Sequence, residues 1–176
     1  VDLVTPAKGL NVVSPTWFRL TDEKGNFSSI ANKSYVEAAH NKGVQVWALI
    51  SDVEQKIDTY ELFSYTSKRK TLLQGLMEKV KEYNIDGINV DFETINSKSS
   101  PHYIQFIKEL SVECRKEGIV LTTDTYVPMP FNSFYRRDIQ GKYVDYVVIM
   151  AYDEHYSGSE ESGSVSSISW VTNAVN

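Results

Sequence analysis

A single cysteine, Cys114, stands in a chain of 176 residues, so no disulfide closes within it and no cysteine metal cluster is available. It falls inside a helical pattern and reads as a small buried hydrophobe. Histidine is scarce as well. His40 and His102 lie on helical stretches and read as surface residues, while His155 beside Glu154 has no second histidine at ligand spacing. No metal and no cofactor is expected. No apolar run is long enough to span a bilayer, and no leader or lipidation motif is present. The sequence opens on Val1-Asp2-Leu3 without an initiator Met and reads as a piece of a longer chain, which leaves its location open. Nor is there a glycine-rich phosphate loop to support nucleotide binding. Positive charge does not dominate: 18 Lys and Arg face 23 Asp and Glu, for a net −5, which disfavours nucleic acid or an anionic membrane as partner.

What is present is ordinary globular material. At 41% hydrophobic and 23% charged, the chain can build one domain with a sizeable core. Aromatic content of 12%, with 11 tyrosines, suits a sugar-binding cleft, although core packing uses flat rings too.

Apolar patterning alternates between strand and helix. Residues 10–14 read as a strand, 14–18 as a turn and 21–26 as a polar turn without the later ligands of a calcium loop. Asn32 is placed to cap a helix from Lys33 to Asn41, closed by Gly43, and 44–50 is a near-continuous apolar strand. A loop with a short helix follows over 51–65. Leu72, Leu73, Leu76, Met77 and Val80 then make the buried stripe of a helix over 67–83, ended by Asn84. Ser100-Pro101 reads as a capped helix start, with Gly118 at the end. A strand covers 119–125, broken by Pro128 and Pro130, and a short helix is expected over 132–140. Residues 144–153 form a strong strand, 157–169 a Ser/Gly-rich loop, and a helix begins at Trp170. Strand and helix alternate without a hairpin signal, which predicts parallel βαβ units. Five strands fall short of a (β/α)8 TIM barrel of about 250 residues. The expectation is therefore one domain over 1–176, an α/β fold that is an incomplete barrel segment with exposed apolar sheet edges.

The stretch of most interest is Ile85-Asp86-Gly87-Ile88-Asn89-Val90-Asp91-Phe92-Glu93. Its apolar and polar residues alternate with the period of a strand, so Asn89, Asp91 and Glu93 share one face. Two carboxylates at i and i+2 sit roughly 6–7 Å apart at the backbone. Like charges that close push one pKa up, leaving one acid protonated near neutral pH. Glu93 has the longer arm and the outermost place, which makes it the natural proton donor and Asp91 its neighbour. Barrel chemistry sits at the C-terminal ends of strands. Those ends collect Ser14 and Trp17, Ser51 and Asp52, Asp91 and Glu93, Asp124 and Tyr126, and Met150, Tyr152 and Asp153. Trp17 and Trp47 are suited either to sugar stacking or to the core.

The residues Asp86-Gly87-Ile88-Asn89-Val90-Asp91-Phe92-Glu93 resemble the acidic strand of family 18 glycoside hydrolases, the chitinase family. Asn89 departs from the pattern by standing where that family usually has an aspartate. Met150-Ala151-Tyr152-Asp153 resembles the family's sixth strand, so the visible strands would be the second to the sixth. The stretches 11–18, 45–49 and 152–155 are similar to the bacterial YaaH-like branch, which includes spore-cortex peptidoglycan hydrolases often joined to wall-binding modules.

The resemblance implies retaining, substrate-assisted hydrolysis of β-1,4-linked N-acetylglucosamine glycans, with peptidoglycan favoured over chitin. Glu93 would be the acid and then the base. Asp91 would hold the substrate acetamide, Tyr152 would donate to its oxygen, and Asp153 and Met150 would line the pocket, with Asn89, Trp17 and Tyr126 as further substrate-binding candidates. The expected partner is an N-acetylglucosamine polysaccharide, and the expected location is extracellular, the cell envelope or the spore. Two rival readings are a non-catalytic glycan-binding module and a divalent-metal enzyme using Asp91 and Glu93 as ligands.

Overall fold

The computed structural model describes residues 8–175; the opening Val1-Asp2-Leu3 and the closing Asn176 lie outside the described residues. One sheet organises them. Strands β1 (Val12–Val13) and β2 (Thr16–Leu20) run in succession beside β4 (Gln45–Ser51), followed laterally by β5 (Gly87–Asp91), β6 (Val120–Tyr126) and β7 (Tyr146–Met150). All of these pairings are parallel, and helices fill the connections. Counting β1 and β2 as one interrupted strand, this is a five-strand arc of the expected barrel type.

Two expectations at the N-terminal end are corrected. Residues 16–18 form strand rather than turn, because the chain resumes pairing with β4 after Pro15 and buries Trp17 and Phe18. A hairpin is also present: β3 (Phe27–Ser29) lies antiparallel to β2. The Asp22 carboxylate builds its turn by accepting the backbone N–H of Lys24 at 2.8 Å and of Asn26 at 3.1 Å. Gly25 completes it at φ +92°, where a side chain would be strained.

The helices sit on one face of the sheet. Helix α1 (Lys33–His40) is capped by the Asn32 side chain, which accepts the Tyr35 N–H at 2.9 Å. Helices α2 (Thr59–Ser64), α3 (Thr66–Tyr83) and α4 (Ser100–Glu117) pack on one another, and α4 also lies against β6. Asn84 and Gly118 end α3 and α4 in left-handed conformation. Ser100 is not the cap of α4. It is buried, and its hydroxyl donates to the Phe134 carbonyl, tying the helix to the segment beyond β6. Buried Arg69 joins three helices: it forks onto Glu109 with two 3.0 Å bonds and donates to the Phe63 carbonyl at 2.7 Å. His40 is half-buried rather than a free surface residue, 2.7 Å from Asp86, whose carboxylate also accepts the Val46 N–H.

Residues 132–140 are not one helix. A 3-10 turn over Pro130–Tyr135 is separated from α5 (Arg137–Gln140) by Arg136 at φ 49°. Helix α6 (Ile168–Val175) starts two residues before Trp170, with the Glu154 carboxylate accepting the N–H of Ser167 at 2.7 Å.

The two sheet faces differ in chemistry. Ile88 and Val90 are fully buried toward the helices, beside a cluster in which Phe63, Phe92, Tyr103 and Phe106 pack ring against ring. The opposite face carries Gly87, Asn89 and Asp91. At its lower end Trp47 stacks on Tyr146, with centroids 5.6 Å apart and planes 25° from parallel. The register places Trp47 level with Gly87, about 13 Å along the sheet from Asp91. Trp47 is therefore a floor residue, and it explains the glycine: a Cβ at 87 would meet Trp47 Cδ1 at 2.6 Å.

Gly87→Ala is expected to destabilise the chain by about 1–3 kcal/mol through this overpacking. Urea denaturation measures it, and Trp47→Leu in the same chain should restore most of the loss.

Candidate active site

The aromatic cluster under Phe92 fixes the end of β5, and two buried groups then grip the peptide of Glu93. Asp52, 1% exposed at the end of β4, accepts the N–H of Glu93 at 2.8 Å, the N–H of Thr94 at 3.1 Å and the Thr94 hydroxyl at 2.6 Å. On the other side the Tyr135 hydroxyl lies 3.0 Å from the Glu93 carbonyl and 3.1 Å from that of Phe92. The backbone is held while the carboxylate reaches out, where it accepts the Tyr126 hydroxyl.

Glu93 opens onto a cleft of about 500 Å³ that also touches Tyr126, Met150, Tyr152 and Asp153. Its remaining wall comes from the segment after β6 and from α6: Val127, Met129, Phe131 and Asn132, with Trp170 opposite. Phe131 is 79% exposed and Tyr152 51%. The Trp170 ring N–H is buried without a hydrogen-bond partner. Phe131 and Trp170 were not among the sequence candidates, because a proline-broken loop and an isolated tryptophan carry no periodic signal.

Asp91 and Asn89 lie beneath the cleft rather than in its wall. Asn89 does not bond to Asp91. Its amide N–H2 donates to Asp124 at 3.0 Å and to Ser14 at 3.2 Å, and its oxygen accepts the Thr122 hydroxyl at 2.6 Å. Trp17 is brought elsewhere altogether: it is buried in the core with its ring edge-on to Tyr35 at 5.4 Å. A register shift between Thr16 and Phe18 accompanies this turn toward α1.

The acids here are pushed toward their neutral forms. Asp91 rises from 3.8 to about 7, mainly by burial and then by the charges of Asp124, Glu93 and Asp52. Asp124 rises to about 6 by burial and Glu93, with the Asn89 hydrogen bond acting against it. Burial also raises Asp52, opposed by its bonds to Thr94 and Glu93. The Tyr126 and Tyr152 phenols are raised, first by burial, so both stay protonated donors. Among the described residues no group of three or more His, Cys, Asp and Glu is placed to hold a metal ion, and no helix is long and apolar enough to cross a membrane.

The family profile described as Glycosyl hydrolases family 18 matches residues 16–175. The chain belongs to that family. A relative of uncharacterized role, the glycosylase YvbX of Bacillus subtilis, is 26% identical over 94% of this chain and 51% of its own length. The cortical fragment-lytic enzyme of Bacillus subtilis is 30% identical over 53% of this chain and 23% of its own. The crystal structure of the Bacillus cereus spore cortex-lytic enzyme SleL superposes with TM-score 0.82 and 19% identity, covering 94% of this chain and 40% of that one. The chain thus spans about half, or less, of the proteins it matches. At that identity the superposition speaks for the fold, and it agrees with a partial family 18 barrel.

The raised carboxyl pKa values set a pH dependence of stability. Between the unfolded value of 3.8 and the folded value of about 7, folded Asp91 holds a proton that the unfolded chain releases. Its contribution is fully present below about pH 4 and is lost as pH rises through 7. Asp91→Asn removes this liability, so its melting temperature should gain on the parent's as pH is raised. The gain should be a few degrees, at about 2–4 °C per kcal/mol for a chain this size. Calorimetry across that window checks it; a constant difference between the two proteins would exclude the effect.

Proposed function

We propose that residues 1–176 belong to one catalytic barrel domain, present here as its second to sixth strands, of a retaining glycoside hydrolase. Its substrate class would be β-1,4-linked N-acetylglucosamine glycans. Peptidoglycan is favoured, with chitin or its oligosaccharides next, because the relatives include a cortical fragment-lytic enzyme and a spore cortex-lytic enzyme. Action on the spore or cell wall, and wall-binding modules elsewhere in the full protein, belong to the same reading. The observation that carries it is the placing of Glu93: peptide clamped by Asp52 and Tyr135, carboxyl group reaching into an open cleft beside the Tyr126 hydroxyl.

In this mechanism protonated Glu93 gives its proton to the glycosidic oxygen as the bond to the sugar breaks. The acetamido carbonyl of that sugar closes on the anomeric carbon, giving an oxazolinium ion. Asp91, ionised, accepts the acetamido N–H and stabilises the positive charge spreading onto it. Tyr152 donates its hydroxyl to the acetamido oxygen and aims the attack, while Met150 and Asp153 bound the pocket. Glu93, now a carboxylate, takes a proton from water as that water opens the oxazolinium with overall retention. Tyr126 holds the Glu93 carboxylate in place between turnovers.

Glu93→Gln should lower hydrolysis of chitooligosaccharides or purified peptidoglycan by at least about 100-fold, the usual contribution of a general acid. Glycan binding should be retained. The assay belongs on the full protein beside this segment, since the missing strands complete the barrel. Undiminished turnover would overturn the role of Glu93, and binding without turnover in the parent would make the chain a glycan-binding module.

A further inference from the structure

Arg137 is a partly buried cation without an acid. Its guanidinium donates to the Tyr126 carbonyl at 2.8 Å, the Asn132 side-chain oxygen at 3.0 Å, and the Asn132 carbonyl and Thr125 hydroxyl at 3.3 Å each. All four acceptors are neutral, and among the described residues no carboxylate pairs with it. Burial weighs against such a charge. Backbone strain is also accepted to place it. Arg136 turns the chain in left-handed conformation at φ 49°, while its own side chain lies out on Asp138.

The guanidinium lies between the two tyrosines that grip Glu93. It fixes the backbone of Tyr126, whose hydroxyl donates to Oε2 of Glu93. It also lies 5.6 Å from the ring centroid of Tyr135, whose hydroxyl holds the Glu93 carbonyl. The two rings meet edge to face at 6.0 Å. The cleft wall after β6 has its own fastening: Asn132 accepts the Met129 N–H at 3.0 Å and donates to the Val127 carbonyl at 2.9 Å. Arg137 adds the hold on Thr125 and Tyr126, the last two residues of β6. They need it, because β5 pairs with β6 only as far as Thr123. An arginine suits the place, since its rigid fork of N–H donors serves two segments at once where lysine is a point charge.

We propose that Arg137 is a positioning residue of this site: through Tyr126 it keeps Oε2 of Glu93 occupied and leaves Oε1 to meet the glycosidic oxygen. The Tyr126 hydroxyl gives its proton to one carboxyl oxygen. The acidic proton of Glu93 then resides on Oε1, which both delivers it to the glycan and later takes one from water. With Tyr126 released, the carboxyl group turns about its last bond, a soft torsion, and either oxygen faces the cleft. The task of Oε1 rests on the proposed hydrolysis, whereas the linkage from Arg137 to Glu93 rests on its own geometry.

A readout without turnover therefore separates the two. The ring carbon that bears the hydroxyl is followed by NMR at neutral pH in this chain with isotopically labelled tyrosine, and the Tyr126 signal is identified by its loss in Tyr126→Phe. Glu93→Ala should displace that signal. Arg137→Gln should displace it in the same direction, and the two substitutions together should move it no farther than Glu93→Ala alone. Unmoved signals from tyrosines far from the cleft, such as Tyr35 and Tyr83, show that the fold is intact. Should Arg137→Gln not fold, Arg137→Lys takes its place, keeping the charge and losing the fork. A Tyr126 signal that ignores a folded Arg137 variant, or displacements that simply add, would overturn the linkage.

In the full protein, Arg137→Gln and Tyr126→Phe should each lower kcat on chitooligosaccharides by about 10-fold or more with KM within about twofold, as expected of a misplaced reacting group. The double variant should be no slower than the slower single one, because residues that act as a unit are not additive. A raised KM with kcat unchanged would make Arg137 a support of the cleft wall and overturn its positioning role. The expected Tyr126 displacements in a full protein that hydrolyses no glycan would uphold the linkage and defeat the hydrolase reading. Turnover that depends on Glu93 but not on Arg137 would do the reverse.

Discussion

The site depends on a buried carboxylate that does no chemistry of its own. Asp52 lies at the end of β4 and collects two backbone N–H groups and a hydroxyl from residues 93 and 94. Beyond Asp91 the β5 ladder has ended, and without this partner the next N–H groups would be unpaired in a nearly dry place. A carboxylate is the suitable group, because it offers several acceptor sites within a small volume. The lost hydration of Asp52 is offset by those three bonds and by the fixed position of Glu93 that they produce. Tyr135 completes the grip from the segment after β6, so three strand connections converge on one peptide.

That convergence carries a penalty. Three acids, Asp52, Asp91 and Asp124, lie in or under one lumen, and burial raises the pKa of each. At neutral pH the fold therefore carries charge that it would be more stable without. The aromatic cluster of Phe63, Phe92, Tyr103 and Phe106 and the Arg69–Glu109 fork on the other side of the sheet supply stability far from the cleft. Strain at the reactive face and tight packing behind it occur in the same strand, β5: its odd-numbered residues face the lumen and its even-numbered ones the helices.

Much of the frame was legible in residue patterns. Strands β4 to β7 and helices α1, α3 and α4 follow from period and from capping residues such as Asn32, Asn84 and Gly118. The acidic row of β5 followed from alternation alone. What escaped depends on contacts between distant residues. The turn of the β2–β3 hairpin is marked by its polar residues 21–26, but nothing local to them says that the short stretch beyond it pairs antiparallel with β2. Trp17 is turned into the core beside a register shift that no residue pattern signals. Phe131 and Trp170 reach the cleft only because a proline-rich segment and a Ser-rich loop fold back over it. Asp124 is placed at the site by its strand end, but its bond to Asn89 depends on the lateral register of β5 and β6.

Asn89 is best understood with Asp124. An aspartate at 89, the usual residue in family 18, would face Asp124 across the seam and place a further carboxylate among Asp91, Asp124 and Ser14. An ionised acid there could only accept, and the Asp124 oxygen now bonded by Asn89 would lose its donor. The amide keeps the shape of the side chain and reverses its polarity toward Asp124. Its own oxygen is satisfied by the Thr122 hydroxyl. Asp124 on the neighbouring strand thus has the donor that an aspartate at 89 would not supply.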